Sequence, residues 1–197
     1  MAVADIILSP ARVLYATVGT ALPDETTVAY GGTWSSWTDV GTTIEAIAVS
    51  VEVEDVDVEV QQYTAPVCRF RSSEKVAFET VLAEMTGANL ALILNGANSD
   101  TAAGASQKGY SAITAGGYFE IPEKTWAIEG YRMDTAGTKQ PVRLQILSGT
   151  AKFDGETEFG KANPAGIPLR IDALADTTKA KGSELLRIEL VTAPATS

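Results

Sequence analysis

The sequence predicts a mainly β domain with one principal helix, on three observations. Valines alternate with acidic or hydroxyl side chains through 44–60, the period of a half-buried strand. Segments rich in β-branched residues recur at Thr125–Tyr131, Val142–Phe153, Ile167–Ala173 and Leu185–Val191, each bounded by turn residues. A single run, Val76, Ala77, Val81, Leu82 and Met85, has its apolar residues at helical spacing.

Taken in order, Met1 to Leu8 has no basic n-region and carries Asp5 within its apolar stretch, so no signal peptide is expected there. Val13 to Gly19 reads as a short strand. Gly31 to Gly41 reads as loop and turn, with Trp34 and Trp37 as packing anchors rather than a sugar-stacking platform. In the long strand, Val49, Val51 and Val53 alternate with Ser50, Glu52 and Glu54, and then the parity flips to Val56, Val58 and Val60. A β-bulge at Glu54-Asp55 would add one residue and keep the valines on one face. Seventeen residues from Ile44 to Val60 would extend about 56 Å at ~3.3 Å each, long enough to need support from outside one subunit.

Ser72 or Ser73 then reads as an N-cap, with Glu74 in the first turn of a helix ending near Thr86-Gly87. A short apolar segment, Leu90 to Leu94, closes at Asn95-Gly96. Residues 95–117 are almost wholly Gly, Ala, Ser, Thr, Asn and Asp, apart from Lys108, Tyr110 and Ile113, and read as a flexible loop that contacts a neighbouring subunit or ring. Turns are expected at Asp134 to Gly137, Asp154-Gly155, Asn163-Pro164 and Lys181-Gly182. No internal repeat is found, and 1–197 is read as one domain.

Composition narrows the function. The chain has no histidine, which removes the commonest general base and metal ligand, and one cysteine, which excludes an internal disulfide and Cys/His zinc sites. Cys68, beside Val67 and Phe70, is expected to be a small buried hydrophobe. Net charge is −10, and between Val13 and Cys68 there is no Lys or Arg while nine acids fall there. Such a segment repels nucleic acid. No apolar run is long enough for a membrane helix, and no membrane insertion is expected.

Glu52 with Glu54 and Asp57 with Glu59 lie close enough to be tested as acid/base or metal pairs. Carboxylates on an exposed face with no apolar pocket give no reason for their pKa values to separate, and no Asp-x-Asp-x-Asp-Gly calcium loop occurs. Gly116-Gly117 lacks the ending of a phosphate loop, and Lys179, Lys181 and Arg187 are too sparse for a basic patch. The reading is a structural protein with no enzymatic activity, cofactor or metal.

Several pieces, in order, resemble the phage major tail tube proteins, a group akin to the inner tubes of contractile tails and type VI secretion. Trp37-Thr38-Asp39-Val40-Gly41-Thr42-Thr43 leads into the long strand, and Glu79 to Thr86 is followed by Asn89-Leu90. Glu129-Gly130-Tyr131-Arg132-Met133-Asp134 precedes the strand Val142 to Leu147, and Ile167 to Asp176 resembles the family's penultimate strand and turn. The resemblance covers roughly residues 34–192. It implies a β-sandwich or barrel with a flanking helix, and hexameric rings whose inner barrel is built from strands of six subunits. It also implies a lumen passing double-stranded DNA without specific binding. The implied partners are further copies of the chain, a tail tip or baseplate, a tail terminator and a tape-measure protein; the implied place is the virion tail, after synthesis in the host cytoplasm. With the long strand as channel wall, Glu52, Glu54, Asp55, Asp57 and Glu59 would line the lumen. The competing readings are another ring component, such as a tail terminator, a baseplate ring or a fimbria-like subunit, and a carbohydrate-binding β-sandwich using Trp34 and Trp37.

Overall fold

In the computed structural model, residues 10–24, 27–117, 119–134, 137–160 and 165–191 are described. The expected turn at Asn163-Pro164, the middle of the turn at 134–137 and the stretch Met1–Leu8 lie outside them. The described residues form ten strands: β1 (Arg12–Ala16), β2 (Thr38–Asp39), β3 (Ala48–Val58), β4 (Cys68–Leu82), β5 (Ala97–Thr101), β6 (Tyr110–Thr114), β7 (Lys124–Met133), β8 (Lys139–Phe153), β9 (Ile167–Leu174) and β10 (Leu186–Leu190). One helix, α1 (Gly87–Ile93), follows β4.

The main sheet is antiparallel, in the order β2-β1-β7-β8-β9-β4-β3, with β10 added to β8. The fifteen-residue β8 serves two halves of it, holding β10 along Val142–Ile146 and β9 along Ser148–Phe153. The sheet curls. Val13 of β1 and Val76 and Phe78 of β4 share one core although three strands separate them in the order. Trp126, Ile128, Ile146, Leu169 and Ile171 fill that core from the strands between. Residues 38–44 close the circuit. Val40 donates its N–H to the Val13 carbonyl, and Ile44 donates to that of Val81 at 2.7 Å.

A second, polar anchorage holds the long connection between β1 and β2. Glu129 and Arg143 are both fully buried and paired, Nε to Oε1 at 3.2 Å. Arg12 donates to the other oxygen of Glu129 at 2.9 Å, and the Gly31 N–H adds a third bond. Arg143 also donates to the Pro23 and Val28 carbonyls, and Gln145 to that of Thr20. Charges so deeply buried persist only where each is paired and its remaining hydrogen-bonding capacity is used. Trp34 lies under the Arg143 guanidinium, 5.1 Å from it, and meets Trp37 edge to face. Both tryptophans are buried, as the packing reading expects, and offer no platform to a sugar.

Four expectations are corrected. The segment from Ser72 to Leu82 is not a helix but most of β4. Its apolar residues fit helical spacing, but Val76, Ala77 and Phe78 form a continuous buried run, with Phe78 wedged between Val49 of β3 and Ile171 of β9. Pairing on both sides overrides the local pattern. The helix begins where the expected one would end: Thr86 is its N-cap, accepting from the Asn89 N–H at 3.1 Å. Residues 95–117 contain a hairpin, β5 with β6, in place of a loop throughout. The hairpin packs so tightly on the start of α1 that a Cβ on Gly87 would meet Asn98 Oδ1 at 2.7 Å. Finally, Cys68 is exposed, opposite Val58 at the far end of β4.

Candidate interface surface

The long strand pairs over its whole length with β4, but β4 meets the body, through β9, only from Ala77 to Leu82. Cys68 to Lys75 and the facing part of β3 therefore form a two-stranded ribbon outside the core. Ten of the eleven β3 residues are exposed. Directly opposed residues share a face, so Val49, Val51 and Val53 continue the core face carrying Phe78 and Val76. They do so with 40%, 54% and 40% exposure. Ser50, Glu52 and Glu54 continue the outer face with Ala77, Lys75 and Ser73.

The register shifts between Glu54 and Asp55, where the sequence places its bulge. The extra residue, however, is Ser72 on β4, because Glu54 faces Ser73 and Asp55 faces Arg71. The unbulged strand keeps its alternation. Asp55 and Asp57 thus follow Val53 on the core-side face, while Val56 and Val58 follow Glu54 outward, opposite Phe70 and Cys68. The expected single valine face is divided between the two sides of the ribbon. Arg71 contacts both Asp55 at 3.4 Å and Glu74 at 3.6 Å, consistent with that arrangement.

The acids of the ribbon meet bases from β4, a pairing hidden in sequence by the intervening turn. Arg69 grips Asp57 through two hydrogen bonds, at 2.5 and 3.0 Å, and this holds the Asp57 carboxyl below the usual range. Glu52 lies opposite Lys75, and Glu54 accepts from the Ser73 hydroxyl. Glu59 lies beyond β3, at the start of the turn that leads to β4. On the outer face of the body, Arg170 bonds Asp172 at 2.8 Å and pairs with Glu79, while Lys152 reaches Asp172 at 2.7 Å. Burial pushes the Asp172 carboxyl up, but the hydrogen bonds from Lys152 and Arg170 outweigh it and leave the pKa lowered.

Of the hairpin residues, Lys108 lies in the exposed connection, Tyr110 is 58% exposed and Ile113 is half-buried. The structure does not bring them together with the acidic strand; they lie on separate elements, in a separate two-stranded sheet. Among the described residues, no group of three or more Cys, Asp or Glu could hold a metal ion. None of the helices described is long and apolar enough to cross a membrane. What the molecule presents is an edge and two unlike faces, the features of an assembling surface.

The model of the family described as phage tail tube protein matches residues 4–196. The chain belongs to that family. It is a structural component of the phage tail that assembles with copies of itself into a tube. No curated protein matches the sequence. The structure also gives a task to residues that the sequence singled out without assigning them one. In this tail tube protein, Asn89 donates to the Val40 and Glu84 carbonyls and ties the start of α1 to the closing segment. Glu129 centres the buried charge network. The polar partners Arg12, Arg143 and Gln145 were not legible: each is an isolated polar residue in a strand, and only the fold brings them to Glu129 and the 20–32 connection.

Proposed function

We propose that the β3–β4 ribbon is the element through which subunits join into stacked hexameric rings, with the outer face of β3, β4, β9 and β8 lining the lumen. The observation that carries this is the ribbon itself, a long strand pair exposed on both faces, apolar on one side of its base and charged on the other. A monomer gains nothing by exposing such a strand, whereas a ring covers its apolar side and its edge together. The lumenal face then carries Glu52, Glu54, Glu79 and Asp172 against Lys75, Lys152 and Arg170. It is mixed in sign with acids in excess. Glu59 adds to that excess from the turn, while Asp55 and Asp57 are held by Arg71 and Arg69 on the opposite face of the ribbon. Double-stranded DNA passes such a wall without specific binding, because acids outnumber bases on it and Lys152 and Arg170 are already paired. The tail tip or baseplate, the tail terminator and the tape-measure protein are the further partners of this reading.

Electron microscopy of the concentrated purified protein tests it: continuous tubes with a central channel are expected. Closed rings that do not stack would instead favour a terminator or baseplate subunit. For the lumen, those particles carrying Glu52→Lys and Glu54→Lys that assemble should eject DNA poorly. Normal ejection would remove the outer face from the channel wall.

A further inference from the structure

The sheet order β8-β9-β4-β3 leaves two unlike lateral edges. At one end, no described strand pairs with the far side of β3. At the other, Thr150 to Phe153 of β8 pair with β9, and no described strand pairs with them on the opposite side, since β7 joins β8 only as far as Gly149. The Ala151 carbonyl accepts a long bond from Asn95 Nδ2 at 3.4 Å.

The core-side faces of these two edges are complementary. At β3 stand the exposed Val49, Val51 and Val53. Beside β8 lies an open groove of about 460 Å³ between α1 and the sheet, lined by Ala88, Ala91, Leu92, Pro122, Trp126 and Ala151. Ala88 and Ala91 lie three apart on one face of the helix, and their small side chains leave the groove unfilled. The outer faces are complementary too. Glu52 and Glu54 flank the β3 edge, and Lys152 flanks the β8 edge on the same face. Within one molecule the valines and the groove cannot meet, because β9 and β4 intervene and set them roughly 14 Å apart at ~4.8 Å per strand.

We propose that the groove beneath α1 receives Val49, Val51 and Val53 of a second copy, whose β3 edge lies along Thr150–Phe153 and whose Glu52 or Glu54 approaches Lys152. The contact joins two different surfaces, so it is head-to-tail and closes into a ring or propagates. It rests on the tail tube reading and adds the surfaces that meet.

The test is disulfide trapping in assembled tubes of the full chain, with the exposed native thiol removed by Cys68→Ser. Val51→Cys with Ala91→Cys should, on oxidation, link most subunits into oligomers larger than dimers on a non-reducing gel; neither single variant should do so. Val49 or Val53 in place of Val51, and Ala88 in place of Ala91, cover a shift of register. Tubes that form but trap no pair in this set overturn the docking site and leave the tube reading standing; wild-type protein that never forms tubes overturns both. A second measurement covers variants too disturbed to polymerise. Val51→Asp and Ala91→Asp should each be monomeric alone, yet give a dimer when mixed, since one retains the groove and the other the valine strand. A mixture that stays monomeric under conditions where wild type assembles overturns the proposal.

Discussion

The body and the ribbon are cut from the same β4, yet they obey different rules. From Ala77 to Glu79, β4 lies between β3 and β9, and the stretch from Val76 to Leu82 places Val76, Phe78 and Leu82 in the core. From Cys68 to Lys75 it has one partner and seven of its eight side chains are exposed. The body spends its polar residues on fixing a shape, as Glu129 and Arg143 do for the β1–β2 connection. The ribbon pairs its charges at the surface, where such pairs contribute little to stability. A strand continuous through both regions lets a folded monomer hold an assembly surface clear of its core.

The comparison breaks most readily at Glu129. Glu129→Ala strands the buried Arg143 without its carboxylate, and should destabilise the monomer by about 3–5 kcal/mol, read from the urea midpoint. Tube formation should weaken with it, because a smaller fraction of subunits is folded. Asn89→Ala is the next largest: it leaves the Val40 carbonyl without its side-chain donor and should cost about 1–3 kcal/mol in the same measurement. In the ribbon, Val51→Ser should change monomer stability by no more than about 0.5 kcal/mol, since Val51 is more than half exposed. Its effect should appear in a raised protein concentration for tube assembly. An equal loss of monomer stability would show that the ribbon already packs on something in the isolated chain.

The smallest expected effect is in pH. Asp172, with its pKa lowered in the folded chain, contributes stability above the ordinary carboxylate pKa and loses it as pH falls through the folded value. Melting temperature followed from about pH 5 to pH 2 should therefore fall less steeply for Asp172→Asn than for wild type. The difference should be modest, because the carboxylate and its two basic partners are partly exposed. Identical slopes would mean that the outer-face network contributes nothing in the monomer.

Much of this was legible from residues. The long strand, its irregularity at Glu54-Asp55 and the four later strands carry period-2 patterning or dense β-branched runs, and those signals survive folding. The helix was misplaced because a run buried by neighbours on both sides no longer alternates, and Val76, Ala77, Val81 and Leu82 imitate a helical stripe. The hairpin at 97–114 carries almost no pattern because it is largely exposed on both faces; it is held by its ladder, by the cross-strand bond from the Ser111 hydroxyl to Asp100 and by its fit against Gly87. The acidic segment looked unopposed because its bases, Arg69, Arg71 and Lys75, lie across a turn. Which strand carries the bulge cannot be read from β3 alone, and that decides which acids share a face.

Hydrogen–deuterium exchange on the isolated subunit and the assembled tube tests the division of labour most directly. The account predicts fast exchange at the free edge of 48–58 in the monomer and slow exchange there in the tube, with β7, β8 and β9 protected equally in both. A ribbon edge already protected in the monomer, or still exchanging freely in the tube, would contradict it.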